Sequence, residues 1–324
     1  MKIIVNIPAY NEAKKIGSVI KDIAQKRIAG AEIKIQVVDD GSTDETAKVA
    51  REAGADYVYT MPHRGLGLTF RSGVEKALEN GVDVMVNIDA DGQFDSNDIA
   101  KLVEPVVSKQ ADMVIASRFS SDKELNPHRM PMFKKIMNML IAKTVGFFWG
   151  QKIDDLTCGF RAYSREVLLR LNLNHPFTYT QETIIDALSK NFNLLWVPVK
   201  VTYFEKRKSR MTGKIWLYIF NSLRIILSML RDTKPMKFFG LPSLLFIGSA
   251  GVIFAVFAVY YFANFKVSPF RTWLFLASIL LILGLQLLVF ALIADMIKSQ
   301  RQISEENLYL IRKKRYGEKK KTKQ

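Results

Sequence analysis

Asp83-Val84-Met85-Val86-Asn87-Ile88-Asp89-Ala90-Asp91-Gly92-Gln93 is a short Val- and Ile-rich run that ends in acids and a glycine. A brief apolar run closed by a turn signal reads as a buried strand. Asp89 and Asp91 stand two residues apart at its end, where the chain is free to turn, so both carboxylates can converge on one cation. Hard oxygen ligands suit Mg²⁺ or Mn²⁺, ions that usually hold substrate phosphates as well. Gln93 could add a further oxygen, which makes Asp89, Asp91 and Gln93 the candidate metal ligands. A lone Asp-x-Asp recurs in ordinary loops, so the surroundings must decide.

On both sides of this run the pattern repeats. Lys2–Ile7, Ile33–Asp39, Asp56–Thr60 and Asp112–Ser117 are further short Val- and Ile-rich segments. Between them lie helical patterns over Glu12–Arg27, Thr43–Ala53, Leu68–Asn80 and Asn97–Lys109. In the first of these, Ile16, Val19, Ile20 and Ile23 recur at helical spacing. Strand–helix alternation predicts an α/β fold with a largely parallel sheet, and such sheets bind ligands beyond the carboxyl ends of their strands. Two more strands end in polar clusters there: Pro8-Ala9-Tyr10-Asn11-Glu12 and Val38-Asp39-Asp40-Gly41-Ser42-Thr43-Asp44. Gly41–Asp44 reads as a turn and helix cap. That leaves Asp39 and Asp40 without a purpose in the turn; acceptors for nucleobase N–H and ribose hydroxyl groups would explain them.

Other chemistries do not fit. The chain has no Gly-x-x-x-x-Gly-Lys-Ser/Thr loop, and Gly65-Leu66-Gly67-Leu68-Thr69-Phe70 fails the dinucleotide fingerprint at its last position. It lacks His-Glu-x-x-His and Gly-x-Ser-x-Gly, and its three histidines are scattered. The single cysteine, Cys158, excludes a disulfide framework and a multi-cysteine metal site within one chain. The opening apolar run, Met1–Ile7, stops at Pro8, too early for a secretory signal.

The 324 residues carry a formal net charge of +16, which points to an anionic partner. Mean hydropathy is nevertheless +0.06, so charge and apolar residues must be segregated. Phe238–Phe265 and Thr272–Ala294 contain no charged side chain, and each exceeds the roughly 20 residues a membrane span needs. They read as a transmembrane hairpin, with spans near 238–263 and 272–296 inside a 236–297 unit. The alternative is a buried hairpin in a soluble core. Arg231, Lys234 and Lys237 precede the hairpin, Lys298, Arg301 and the clusters 312–315 and 319–321 follow it, and its turn holds only Lys266 and Arg271. The positive-inside rule puts both chain ends in the cytoplasm. The basic tail, 298–324, reads as a lipid-headgroup contact or as a solvated tail without a partner. Because the bases gather beside the spans, nucleic acid is not the expected partner. Residues 211–235 hold an amphipathic pattern, with Trp216, Ile219, Phe220, Leu223, Ile226, Leu227 and Leu230 on one face; it fits an interfacial helix or a core helix. Phe133–Trp149 is a second such candidate.

The motifs at the strand ends, taken in order, resemble the successive signatures of family 2 glycosyltransferases. The likeness continues through Ala116-Ser117-Arg118-Phe119 and Asp155-Leu156-Thr157-Cys158-Gly159-Phe160-Arg161 and covers residues 1–210. With two C-terminal spans, the chain resembles the polyprenyl-phosphate glycosyltransferases, dolichol-phosphate mannose synthases among them. The resemblance implies a GT-A fold, a Rossmann-like and mainly parallel sheet. It implies that Pro8, Ala9, Tyr10, Glu12, Asp39, Asp40, Asp89 and Ala90 line the nucleotide pocket and that Asp89, Asp91 and Gln93 hold Mg²⁺ or Mn²⁺. It places Arg118, Lys134, Asn138 and Arg207 toward the acceptor phosphate. Asp91, Arg118, Glu182 and Asp155 become the candidate catalytic residues, the last two as base, sugar contact or structural acid. The chain departs from the family at Leu66, where a lysine is common between two glycines, and near Arg207, where a glycine is common.

The implied reaction moves one sugar from a nucleotide-diphosphate donor, of GDP-mannose or UDP-glucose type, to a polyprenyl (dolichyl or undecaprenyl) phosphate. UDP-N-acetylhexosamine fits the same acidic pocket. A phosphate monoester has a second pKa near 6 and is largely ionised at neutral pH, so positioning and charge matter more than a strong base. The expected setting is a cell or endoplasmic-reticulum-type membrane, crossed twice, with the catalytic domain cytoplasmic. Another lipid or polysaccharide acceptor, or an inactive scaffold, are the alternatives. The hairpin could self-associate.

Overall fold

A computed structural model describes residues 1–119, 132–173, 178–202 and 215–321. The chain divides into two compact units, Met1–Ile226 with Glu305–Gln324, and Leu227–Ser304.

In the first unit the described residues form a seven-stranded sheet of order β3-β2-β1-β4-β6-β5-β7. The strands are β1 (Lys2–Ala9), β2 (Glu32–Asp39), β3 (Tyr57–Thr60), β4 (Val84–Asn87), β5 (Met113–Ser117), β6 (Arg161–Ser164) and β7 (Leu194–Pro198). β3, β2, β1 and β4 are mutually parallel, as the alternation predicts. β5 and β7 are also parallel, whereas β6 runs antiparallel to both β4 and β5. Two antiparallel steps restore the original direction, so β5 points the same way as β4. The carboxyl ends of β1, β2, β4 and β5 therefore share one edge, and the chain enters β6 from that edge through residues 155–160.

Helices α1 (Ala13–Ala24), α2 (Thr46–Glu52), α3 (Leu66–Glu79) and α4 (Asp98–Val107) connect the first five strands. In α1 the predicted stripe Ile16, Val19, Ile20 and Ile23 is buried. α5 (Met132–Trp149) follows β5, and α6 (Arg165–Arg170) and α7 (Thr180–Ser189) separate β6 from β7. Much of the centre of the sheet is apolar, with Ile3, Ile4, Val5, Ile7, Met85 and Val86 at or near zero exposure. α8 (Ile215–Thr233) begins in this unit. Of its predicted apolar face, Ile226 and Leu230 are buried and Leu223 and Leu227 exposed.

The second unit is dominated by α9 (Pro235–Asn264) and the first part of α10 (Arg271–Lys321). Both are long and apolar enough to cross a membrane. They pack through small residues: Ser243 and Ala250 on α9, Ala277, Gly284 and Ala291 on α10 are buried or tightly apposed. Ser243 Oγ donates to the Gly284 carbonyl at 2.7 Å. A Cβ on Gly284 would lie 2.6 Å from Ile247 Cγ1 and 3.0 Å from its backbone nitrogen. Small residues that let backbones approach are the usual means of packing helices in lipid. Leu244, Leu245, Phe262 and Phe275 are instead 69–72% exposed, an outward apolar surface unlike a buried core hairpin. α10 continues past residue 304, and Glu305–Gln324 belongs to the first unit.

Candidate functional site

The shared edge collects the predicted motifs. Ala9 pairs with Asp39 in the β1–β2 register, and Asn6 with Asn87 in β1–β4. Pro8 and Ala9 are buried at the end of β1, and Tyr10 just beyond them stacks on His63 with ring centroids 4.3 Å apart. Asn11 and Glu12 tie the first loop to the second. Asn11 N–H donates to Ser42 Oγ at 2.8 Å, Thr43 N–H to Asn11 Oδ1 at 2.8 Å, and Glu12 N–H to Thr46 Oγ1 at 2.8 Å. Asp44 accepts from the backbone N–H groups of Thr46 and Ala13. Burial alone would raise its pKa, but the bonds from Thr46 and Ala13 outweigh it and hold the carboxyl below its usual range.

Asp39 and Asp40 both have local partners. The hydroxyl and N–H of Ser42 donate to Asp39 Oδ1. Asp40 accepts from Arg64 N–H at 2.9 Å and Gly65 N–H at 3.0 Å, and its Oδ2 lies 2.9 Å from His63 Nδ1. Both charges therefore have a use within the loops that carry them. Asp40 fixes the loop that opens α3, and through His63 it orients the Tyr10 stack.

At the end of β4, Asp91 Oδ1 accepts from Gln93 N–H at 3.0 Å, the turn that folds Asp89, Ala90, Asp91 and Gln93 together. Gln93 is held in turn, its carbonyl accepting from Thr202 N–H at 2.9 Å. The Asp89 carboxylate rests on Gly159, where a Cβ would stand 3.1 and 3.2 Å from its two oxygens and 2.8 Å from the Tyr179 hydroxyl. Glycine is needed there to admit both groups. Burial and the neighbouring Asp89 charge push the Tyr179 phenol well up. Among the described residues no group of three or more His, Cys, Asp or Glu side chains forms an all-protein metal site. Two carboxylates on one turn instead fit an ion whose remaining ligands are substrate oxygens and water, the usual habit of Mg²⁺.

Beside them Arg118 and Asp155 form a buried pair. Arg118 Nε donates to Asp155 Oδ2 at 2.7 Å and Nη2 to Oδ1 at 3.0 Å, a bidentate fork. Asp155 also accepts from Arg118 N–H, Thr157 N–H and Asn138 Nδ2. Its backbone carbonyl accepts from Trp196 Nε1 at 3.0 Å. Burial would raise the Asp155 pKa, but the Arg118 charge and these bonds hold it below the usual carboxylate range. Asp155 therefore pairs with Arg118 and not with Arg161. Arg161 is fully buried among the carbonyls of Cys158, Leu156 and Thr180 and the Thr183 hydroxyl. Asn138 is buried on α5, and among the described residues its Oδ1 accepts no hydrogen bond. Ile136, Met139, Leu140 and Phe147 of the same helix are exposed. Glu182 is buried in the first turn of α7, one turn after Tyr179. Arg207 and the side chain of Lys134 lie outside the described residues.

Under the acids runs a polar network the motif reading missed. Gln36 Nε2 donates to Asn6 Oδ1, Asn6 Nδ2 to Asn87 Oδ1, and Asn87 Nδ2 to the Tyr179 hydroxyl and the Gly159 carbonyl. The Tyr179 ring stacks on Phe70 at 4.0 Å. Its signal was present: Asn6 and Asn87 each fall in an otherwise apolar run, and a buried polar side chain needs partners.

Comparison with known proteins decides the family. The description "Glycosyl transferase family 2" matches residues 4–171. The chain belongs to the family 2 glycosyltransferases. Within the family it is 30% identical to a UDP-N-acetylglucosamine–dolichyl-phosphate N-acetylglucosaminyltransferase of Methanococcus voltae, over 64% of this chain and 88% of that protein. It is 31% identical to a polyprenol monophosphomannose synthase of Mycolicibacterium smegmatis, over 65% of this chain and 81% of that one. Among solved structures, glucosyl-3-phosphoglycerate synthase of Mycobacterium tuberculosis in complex with Mn²⁺, uridine diphosphate and glucosyl-3-phosphoglycerate superposes with a TM-score of 0.53 at 21% identity. That match covers 69% of this chain and 79% of the neighbour. It carries the GT-A-like fold that the motifs imply; the antiparallel β6 makes the expected mainly parallel sheet a mixed one.

Proposed function

We propose that this family 2 glycosyltransferase moves one sugar from a nucleotide-diphosphate donor to the phosphate of a polyprenyl lipid at the cytoplasmic face of a membrane. The observation that carries the reading is the meeting, at one sheet edge, of the Asp89–Asp91 turn with the buried Arg118 fork. One is suited to a cation on the donor diphosphate, the other brings fixed positive charge. The two relatives support a lipid-phosphate acceptor and differ in donor, one using UDP-N-acetylglucosamine and the other named for mannose. The two apolar helices support a membrane setting, and the basic flanks support cytoplasmic ends.

In this reading Asp89, Asp91 and Gln93 would hold Mg²⁺ or Mn²⁺, which neutralises the departing diphosphate when bound. Pro8, Ala9, Tyr10, Glu12, Asp39 and Asp40 frame the nucleotide. Arg118, Lys134 and Arg207 attract the acceptor phosphate. Asn138 Oδ1 is an acceptor and suits an O–H or N–H donor, so beside an ionised phosphate Asn138 serves mainly to hold Asp155. Asp155 is ill placed as a base: it is fully buried, held ionised and saturated with donors. We assign it the positioning of Arg118. Glu182 remains the carboxylate for a sugar contact, and the acceptor phosphate is its own nucleophile.

The test is transfer by the detergent-purified full chain. It takes a panel of UDP-N-acetylglucosamine, UDP-glucose and GDP-mannose, polyprenyl phosphate, and Mn²⁺ or Mg²⁺. A glycolipid formed by the wild type and absent with Asp91→Ala is expected. Metal-dependent nucleotide binding without a lipid product from any donor would overturn the acceptor assignment.

A further inference from the structure

The last turns of α10 hold the part of the domain that carries Glu182. Tyr309 and Tyr316 are buried. Arg170, at the end of α6, lies over the Tyr309 ring at 3.7 Å and pairs with Glu306 at 2.7 Å. Arg312 Nη1 donates to the carbonyls of Leu171 at 2.7 Å and Leu169 at 3.2 Å, and to Asn172 Oδ1 at 3.1 Å. Carbonyls at a helix end lack intrahelical partners, and a cation there also meets the negative end of the helix dipole. From that point the contacts pass to α7. Asn172 N–H donates to Asp186 Oδ2 at 3.1 Å. Lys190 reaches Asp186 at 2.8 Å, the Arg170 carbonyl at 2.5 Å and Glu305 at 3.4 Å. Asp186 follows Glu182 by four residues, on the same side of α7, and Tyr179 ahead of that helix touches the Asp89–Gly159 cradle.

We infer that Arg312 and Lys190 are positioning residues, through which the segment Glu305–Tyr316 clamps α6 and α7 and fixes Glu182 and Tyr179 at the site. The clamp explains why the basic tail is folded and why two tyrosines are buried in it, which a solvated or headgroup-binding tail would not require. Its effect on turnover rests on the proposed transferase reading; its effect on α7 does not.

The experiment compares full-length Arg312→Ala, Arg312→Lys and Lys314→Ala, the last an exposed base of the same tail. Hydrogen–deuterium exchange is followed in peptides covering α7 and β1, with transfer kinetics and Mn²⁺-dependent nucleotide binding alongside. Losing hydrogen bonds from a charged donor should speed α7 exchange by about tenfold or more in Arg312→Ala, with β1 unchanged. The rate constant kcat should fall while donor KM and nucleotide affinity hold. Arg312→Lys should recover part of both effects, and Lys314→Ala should match the wild type. Unchanged α7 exchange in Arg312→Ala overturns the clamp. So does equal damage from Lys314→Ala, the result a headgroup-binding tail would give. If Arg312→Ala does not fold, Arg312→Lys and Glu305→Gln carry the same comparison. If the wild type makes no glycolipid, the transferase reading fails and the exchange data still decide the clamp.

Discussion

Gly159→Ala adds one methyl group where Asp89 and Tyr179 leave no room. The new carbon would stand 2.8 Å from the Tyr179 hydroxyl and 3.1 and 3.2 Å from the Asp89 oxygens, whereas ordinary contact begins at 3.4 Å. Tyr179 has little freedom to retreat. Its ring is stacked on Phe70 at 4.0 Å and its hydroxyl accepts from Asn87 at 2.7 Å. The strain must fall on the tyrosine's network, on Asp89, or on both. Overpacking of this kind costs about 1–3 kcal/mol. At roughly 2–4 °C per kcal/mol for a unit of this size, Tm should drop by about 2–12 °C. Displacing a metal-holding carboxylate through its neighbour typically lowers affinity about 10–100-fold. Titration calorimetry of UDP and GDP with and without Mn²⁺ should show the metal-dependent part of the affinity reduced by that factor, with scanning fluorimetry recording Tm. Tyr179→Phe removes the closest atom, so Gly159→Ala/Tyr179→Phe should regain part of the lost Tm. Wild-type Mn²⁺-dependent affinity and an unchanged Tm in Gly159→Ala would refute the reasoning.

Three further outcomes follow from buried groups. Asp155 has a folded pKa below its unfolded value, so it adds stability above about pH 4 that is lost as pH falls through the folded pKa. Asp155→Asn should flatten the acid limb of a Tm–pH curve and, by stranding the buried Arg118 charge, cost about 3–5 kcal/mol at neutral pH; an unaltered acid limb would contradict this. Burial pushes the Cys158 thiol up to about 12, so iodoacetamide at mildly alkaline pH should modify it only as fast as the domain unfolds, and rapid labelling of the folded protein would count against the buried placement. Gly284→Leu should force α9 and α10 apart at Ile247 and Ser243 and lower the detergent Tm by an overpacking cost of about 1–3 kcal/mol; a Tm equal to wild type would mean the helices do not meet there.

The first five strands were legible because each is a short Val- and Ile-rich run, and their common direction brings the carboxyl ends of β1, β2, β4 and β5 to one edge. The Asp89–Asp91 turn was legible for the same reason. β6 was not. It is four residues long, Arg161-Ala162-Tyr163-Ser164, with an arginine that looks solvent-directed until its buried carbonyl partners are seen. Asp155 stayed open between base, sugar contact and structural acid because nothing local reveals that Arg118, 37 residues earlier, forks onto it. Trp196 reaches the same residue from β7, again beyond any local pattern. Polar interruptions in apolar runs, at Asn6 and Asn87, were the signal that went unread.

Net charge is a coarser guide than the motifs. A balance of +16 reads as attraction for an anion, yet it says nothing of which cations face outward. Arg118 is matched by Asp155, Arg170 by Glu166 and Glu306, and Lys190 by Asp186 and Glu305. Arg161 and Arg312 are directed at carbonyls. Arg161, Arg170, Lys190 and Arg312 hold the domain together and are not part of its field toward a lipid, while Arg118 stands at the site with its charge shared with Asp155. Burial of Tyr309 and Tyr316, seven residues apart in a basic helix, separates the two roles: a helix that only met headgroups would have no reason to turn aromatic rings toward protein. Any field toward an acceptor is the sum of many exposed bases, so removing Lys314 alone should leave turnover unchanged, whereas removing Arg312, two residues earlier, should loosen α7.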